Sequence, residues 1–345
     1  MSGGETNGAA VGTASGKDDT AGGGPYTLVM LPPQAPATEE WGDRLQRELP
    51  GVRVLRPRES QAAAAALREA DAAYGTLPAD LLPHAERLRW LQVPQAGPPP
   101  GFYYPALVEH PVRVTNMRDT YTDHVAAHTL ALVLALSRGL PRYVRDQQAV
   151  RWAPDWDPGS VVSLTESRAL VVGVGAVGAE VGRLLAAFGT EVEGIDTRRT
   201  GAAEGFTRIH PAGRLDAQLP LADFVVLTVP HTPHTEGLID TARLALMKPT
   251  ACLVNIGRGP TVRLDALVEA LDAGRLRGAA LDVFETEPLP AEHPLWRRPD
   301  VLITPHVAGA GPHADERRFA VLLENARRFM AGEPLINVVD KAEWH

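Results

Sequence analysis

Three ionisable side chains, Arg258, Glu287 and His306, each sit just beyond a separate short apolar run in the C-terminal half of the chain. The runs are Cys252 to Ile256, Gly278 to Val283 and Val301 to Thr304, and their length reads as buried parallel strands. In an open α/β sheet such strand ends converge on one crevice. A guanidinium can grip a carboxylate there through two parallel hydrogen bonds. An imidazole titrates near neutrality, so it can give and take a proton. A carboxyl against that imidazole favours the imidazolium and fixes the ring's tautomer. Arg258 lies between two glycines, small neighbours that leave room for a substrate, and Pro305 stiffens the placement of His306.

A second signal sits upstream. The apolar run Ala169 to Val172 feeds into G-x-G-x-x-G at Gly173, Gly175 and Gly178. A helical stretch, Ala179 to Phe188, and a second apolar run, Thr190 to Ile195, come next and end on Asp196. Gly173 permits the tight turn, Gly175 lets the backbone approach a pyrophosphate, and Gly178 lets helix and strand pack closely. The helix N-terminus offers N–H groups to phosphates. Asp196 suits an adenosine ribose and would repel a 2′-phosphate, which favours NAD; Arg198 and Arg199 beside it leave NADP open.

Strand-like and helical stretches alternate along most of the chain, which predicts parallel sheets with helices on both faces. Ahead of the glycine turn the expected strands are 26–31, 52–55, 72–75, 88–93 and 112–116, with helices at 39–49 and 61–70. An α/β domain thus precedes the dinucleotide unit. The loop Gln92 to Gly101 extends from one of these strands; N–H groups around Ala96 and Gly97 can hold a carboxylate, or the loop simply turns the chain. Phe102 to Tyr104 either wall a pocket or pack beneath that loop. Tyr121 to Leu136 is apolar on nearly all sides and is expected as a buried helix, with a more polar helix from Leu140 to Trp152. His124 and His128 share a helix face at a spacing that suits zinc, but no third ligand is evident, so packed or hydrogen-bonded histidines are expected and no metal. Thr235, at the end of the loop Pro230 to Thr235, is placed to cap the next segment, and His231 and His234 read as loop residues. A last helix, Arg317 to Met330, is expected to cross back to the first domain.

The 345-residue length suits two domains. A formal net charge of -8 argues against a general nucleic-acid binder. Cys252, the single cysteine, cannot form an internal disulfide, which points to a reducing cytoplasm, and its apolar run predicts an inert buried thiol. No apolar run is long enough to span a membrane, and the N-terminus lacks the pattern of a secretory signal. Residues 1–24 are small, polar and aperiodic, and read as a disordered tail.

The glycine turn with Asp196, the segment Asn255 to Gly259, the segment Leu281 to Leu289 and Pro305 to Gly309 together resemble the signatures of the D-isomer-specific 2-hydroxyacid dehydrogenases. That resemblance runs from about Tyr26 to near the C-terminus. It implies two doubly wound parallel-sheet domains, with a Rossmann cofactor domain, 123–311, inserted in a discontinuous flavodoxin-like domain, 25–122 and 312–345. It implies Arg258 as carboxylate anchor, His306 as acid/base and Glu287 as its partner, with Ala96 and Gly97 at the substrate carboxylate. The cofactor would be held by Gly173, Gly175, Ala176, Val177, Gly178 and Asp196. Later loops would add Val229, Pro230, Thr235, Ile256, Gly257 and Gly309, with Asp282 near the nicotinamide amide or ribose. The helix Asp123 to Leu136 resembles the segment that family uses partly to dimerise. Departures from the pattern, Ala127 for a frequent glutamate, Gln95 for a common serine and the run Pro98 to Pro100, leave the three catalytic positions intact.

The reaction implied is reversible hydride transfer between a nicotinamide cofactor and C2 of a 2-keto acid, giving a D-2-hydroxy acid. A rival is an NAD(H)-sensing, corepressor-like binding protein on the same scaffold; the intact Arg, Glu and His set favours the enzyme. A narrower variant oxidises formate or phosphite.

Overall fold

The computed structural model describes residues 24–97, 99 and 101–344, so the expected tail lies outside it except for Gly24. The first sheet contains β1 (Tyr26–Met30), β2 (Val52–Leu55), β3 (Ala72–Tyr74), β4 (Trp90–Gln92) and β5 (Arg113–Thr115). Helices α1 (Trp41–Glu48), α2 (Ser60–Leu67) and α3 (Pro105–Glu109) lie among them in the chain. The strands are all parallel, in the order β2-β1-β3-β4-β5. That is the order of a flavodoxin-type doubly wound sheet. Successive residues face opposite ways, so a strand inside the sheet presents apolar residues to both layers. Val29, Ala73, Leu91 and Val114 enter one core, while Leu28, Ala72 and Trp90 enter the other.

The chain then passes through α4 (Thr122–Ser137) and α5 (Leu140–Gln148) into β6 (Arg168–Val172), α6 (Ala176–Ala187) and β7 (Glu191–Asp196). Next come β8 (Gly201–Ala203), β9 (Phe206–Pro211), α7 (Leu215–Gln218), β10 (Phe224–Leu227) and α8 (Thr241–Leu246). The series closes with β11 (Cys252–Asn255), α9 (Leu264–Asp272), β12 (Gly278–Leu281), β13 (Val301–Ile303) and α10 (Ala314–Ala331). The sheet order is β13-β12-β11-β10-β6-β7-β9-β8. Leaving aside β8, which pairs antiparallel to β9, this is the dinucleotide-binding order with one further strand. The chain turns back at β6, so a crevice opens between the ends of β6 and β10.

α10 does not stay with this second sheet. Its Phe319, Leu322, Ala326 and Phe329 pack with Tyr26, Trp41 and Trp90 of the first. Arg317 on the same helix makes a two-pronged ion pair with Asp123 at 2.6 and 3.0 Å, tying α10 to the start of α4. Among the described residues no helix is long and apolar enough to cross a membrane.

Several local expectations need correction. α4 is buried on one flank only: Ala126, Leu132, Val133 and Leu136 enter the core, while Ala127 and Ala131 are exposed. α5 ends at Gln148, and Val150, Trp152 and Trp156 beyond it are 94%, 96% and 88% exposed. α6 starts at Ala176, directly after Gly175, which places its free N–H groups at the glycine turn. The hairpin of β8 and β9 has no counterpart among the expected strands, because β9 buries only Phe206 and Ile209 among polar residues and carries no continuous apolar run. α3 and α8 are likewise unexpected, being too short for a periodic signal. Asp240 rather than Thr235 caps α8, accepting from the Arg243 N–H at 2.9 Å. Thr235 instead closes its own loop, donating to the Pro230 carbonyl at 2.6 Å.

Phe329 is 1% exposed, with ring centroids 4.8 Å from Tyr26 and 5.5 Å from Trp90. Phe329→Ala should therefore destabilise the first sheet by about 3–5 kcal/mol, read as a lower urea midpoint.

Candidate active site

Three neighbouring parallel strands, β11, β12 and β13, end at the same edge of the second sheet and deliver Arg258, Glu287 and His306. The loop after β11 is folded by Asn255, 1% exposed, whose side chain donates to the Arg258 carbonyl at 3.1 Å and accepts from the Gly257 N–H at 3.1 Å. The glycines beside Arg258 also permit close backbone approach. A Cβ on Gly257 would lie 2.5 Å from the Val229 carbonyl oxygen, and one on Gly259 would lie 1.8 Å from that of Phe284. They let three loops close on one another.

The Arg258 guanidinium reaches across to the first sheet. Nη2 donates to the Gly97 carbonyl at 2.8 Å and Nη1 to its own neighbour's, Gly257, at 2.6 Å. A Cβ on Gly97 would stand 2.3 Å from Nη2, so only glycine permits this approach. The Ala96 carbonyl accepts from Asn116 at 2.8 Å, which pins the same loop. Burial lowers the Arg258 pKa from its ordinary value, opposed by Tyr121 and Glu287. An arginine remains charged through such a change. Phe102 and Tyr103 are 6% and 8% exposed and pack edge to face beneath the loop, in the core of the first sheet.

His306 Nδ1 lies 2.7 Å from Glu287 Oε2, and Glu287 Oε1 accepts from the Phe284 N–H at 2.9 Å. Burial works against the Glu287 charge, yet the bonds from His306 and Phe284 and the nearby Arg258 outweigh it and hold the carboxyl below its ordinary range. An ionised carboxylate only accepts, so Nδ1 carries the hydrogen and Nε2 is the atom left to exchange a proton with the cleft. The His306 side chain is 48% exposed. Its backbone is left-handed, with φ +53°, and its N–H donates to the Asp282 carbonyl at 2.8 Å.

Asp282 follows β12 directly. It is 1% exposed and its carboxylate is turned into the loop that carries His306. There it accepts from the Thr304 hydroxyl at 2.6 Å, the Val307 N–H at 3.0 Å and the Ala308 N–H at 2.9 Å. Gly309, next in the chain, lies against the Tyr121 ring.

The glycine turn has the geometry a dinucleotide needs. Gly173 adopts φ +93°, and a Cβ there would meet Val229 at 2.8 Å. Nothing lies within 4 Å of a Cβ on Gly175, the side a pyrophosphate approaches. A Cβ on Gly178 would sit 1.9 Å from the Gly173 carbonyl oxygen, so helix and strand touch there. Ala176 and Val177 open α6, and Val229, Pro230, Ile256 and Gly257 lie just past the ends of β10 and β11. Asp196 Oδ2 accepts from the Val174 N–H at 2.7 Å, and Oδ1 from the N–H groups of Arg198 and Arg199 at 2.7 and 2.9 Å. Against the opposing effect of burial, these bonds hold its pKa below the ordinary value.

His124 and His128 go separate ways, His124 against Gly311 and His128 to Thr304. Cys252 is fully buried, and burial pushes its thiol up to about 12. Two contacts had no sequence signal. The C-terminal Trp344 ring packs on His231 at 5.5 Å, and Glu343 pairs with His234 at 3.6 Å.

This arrangement sets an imidazole–carboxylate contact and a guanidinium at neighbouring strand ends of a sheet that also carries a dinucleotide-type glycine turn. Residues 130–308 match the family described as "D-isomer specific 2-hydroxyacid dehydrogenase, NAD binding domain", and the chain belongs to the D-isomer specific 2-hydroxyacid dehydrogenase family. It is similar to a glyoxylate reductase of Thermofilum pendens, 34% identical over 69% of this chain and 70% of that protein. It is also similar to glyoxylate/hydroxypyruvate reductase B of Pectobacterium carotovorum, 35% identical over 77% of this chain and 83% of that one. A family member from Xanthobacter autotrophicus Py2, solved with NADPH and MES, superposes with a TM-score of 0.79 at 30% identity, covering 93% of this chain and 100% of that one. The NADPH-dependent glyoxylate/hydroxypyruvate reductase of Sinorhizobium meliloti, solved with NADP and sulfate, gives 0.77 at 27% identity, again covering 93% and 100%. The chain is thus an oxidoreductase with an NAD(P)-binding domain, of the 2-keto acid reductase kind.

Three backbone N–H groups hold the Asp196 carboxylate charged, and on the expectation that it faces the adenosine ribose it would repel a 2′-phosphate. Asp196→Ala should move the NADH/NADPH ratio of kcat/KM toward NADPH by about tenfold or more, while weakening NADH through loss of the loop anchor. Steady-state kinetics with both cofactors would test this, and an unchanged ratio would refute the role.

Proposed function

We propose that the chain reduces a small 2-keto acid to the D-2-hydroxy acid, reversibly, with NADH as the preferred cofactor. The observation that carries this reading is the 2.7 Å contact of His306 with Glu287, on the strand end beside the one that carries Arg258. Arg258 binds the substrate carboxylate together with N–H groups of the Ala96–Gly97 loop, which its Nη2 already touches. A bound nicotinamide, held by the glycine turn and the loops after β10 and β11, supplies the hydride. His306 donates from Nε2 the proton that the forming alkoxide needs, and Glu287 holds the resulting imidazole in position. Alignment of the reactants and fixed charge around the oxygen lower the barrier. Glyoxylate and hydroxypyruvate are the first substrates to try, because relatives carry those names.

We place the enzyme in the cytoplasm as a homodimer. Ala127 and Ala131 on α4, and Val144, Val150, Trp152 and Trp156 farther along the chain, are exposed apolar side chains that a second copy would cover.

The test is NADH absorbance with a panel of glyoxylate, hydroxypyruvate, pyruvate and longer keto acids. Inactivity with all of them despite NADH binding would overturn the enzyme reading in favour of a nucleotide sensor. His306→Ala should lower kcat by roughly 10²–10⁴ while NADH affinity barely changes.

Glu287 is charged throughout the range where an imidazole titrates, because its own pKa is depressed. Reduction consumes the imidazolium proton, and Glu287 helps hold it. Glu287→Gln should therefore lower kcat/KM for reduction by about tenfold or more with NADH affinity little changed, read from steady-state kinetics.

A further inference from the structure

Behind His306 a hydrogen-bonded chain leads out of the catalytic loop into α4. The Thr304 hydroxyl has one proton. It donates that proton to Asp282 Oδ1 at 2.6 Å. His128 Nε2 lies 3.0 Å from the same hydroxyl oxygen. Since the hydroxyl's proton is committed to the carboxylate, the oxygen can only accept from His128, and Nε2 carries the hydrogen. The direction of the chain is thereby set: His128 to Thr304 to Asp282. His128 Nε2 also stands 3.7 Å from Asp282 Oδ1.

The Asp282 carboxylate is 1% exposed, where an ion needs full hydrogen bonding. Its remaining bonds come from the N–H groups of Val307 and Ala308, and its carbonyl holds the N–H of His306. One residue thus grips the backbone at His306 and at the two positions after it. His306 has the left-handed φ of +53°, a conformation uncommon for a non-glycine residue and dependent on its surroundings. A loose Thr304 would leave the carboxylate short of a donor and free the loop to move away from Glu287.

We propose that His128 is a positioning residue for the reaction. By donating to Thr304 it aims the threonine hydroxyl at Asp282, and through that carboxylate it fixes the loop that presents His306. The reading rests on His306 as the acid/base group. It gives α4 a hold on the catalytic loop, although His128 lies 178 residues earlier than His306 in the sequence.

Two pairs of variants test it. His128→Leu and Thr304→Val remove a link; His128→Gln keeps a donor near Nε2, and Thr304→Ser keeps the hydroxyl. In the free protein, amide exchange at Val307 and Ala308 should speed up about tenfold in the Leu and Val variants and stay close to native in Gln and Ser. In the keto-acid assay the first pair should lose about tenfold in kcat, with KM and NADH affinity little changed, and the second pair should restore it. Native exchange and native kcat in both His128→Leu and Thr304→Val would overturn the proposal. Equal losses in Leu and Gln, or in Val and Ser, would assign the effect to packing and also overturn it. If His128→Leu does not fold, the Thr304 pair decides. If the native protein reduces no keto acid, the acid/base reading fails, while the exchange measurement still decides whether His128 holds the loop.

Discussion

The contact between His306 and Glu287 depends on register. β12 and β13 run parallel with Leu281 opposite Ile303. Six residues past Leu281 and three past Ile303, the two loops meet with carboxylate and imidazole 2.7 Å apart. A one-residue slip of either strand would turn its side chains to the opposite face and separate the pair. The apolar strands therefore do more than fill a core. By burying both faces of the sheet they fix the alignment on which the contact of His306 with Glu287 rests.

Around that pair, close approach of backbones accounts for most of the small residues. Gly97, Gly257, Gly259 and Gly178 each sit where a methyl group would collide with a neighbouring loop, a guanidinium or a carbonyl. Two sheets thus bring their strand ends together at the Gly97–Arg258 contact. Two further ties span the sheets: α10 holds α4 through Arg317 and Asp123, and the C-terminal segment rests on the loop of His231 and His234.

Much of this was legible from residue order alone. The strands of both sheets announce themselves as short apolar runs, and the glycine turn identifies the dinucleotide end. Elements without such a signal stay hidden. β9 alternates polar residues around Phe206 and Ile209, and α3 and α8 are little more than a turn or two. Which partners the Asp282 carboxylate has is not legible either: it accepts from the N–H groups of Val307 and Ala308, on a loop after the next strand.

The sequence by itself determined the alternation of buried strands and helices, the pyrophosphate turn, and which guanidinium, carboxyl and imidazole stand at strand ends. Those features are local, since each depends on side-chain polarity, helix or strand period, or glycine's freedom within a few residues. Only the tertiary structure decided why glycines flank Arg258, where Asp282 spends its hydrogen bonds, that His128 meets Thr304, and that Trp344 rests on His231. These are contacts between segments far apart along the chain. Spacing in the sequence carries no information about them until the sheets have set which loops face one another.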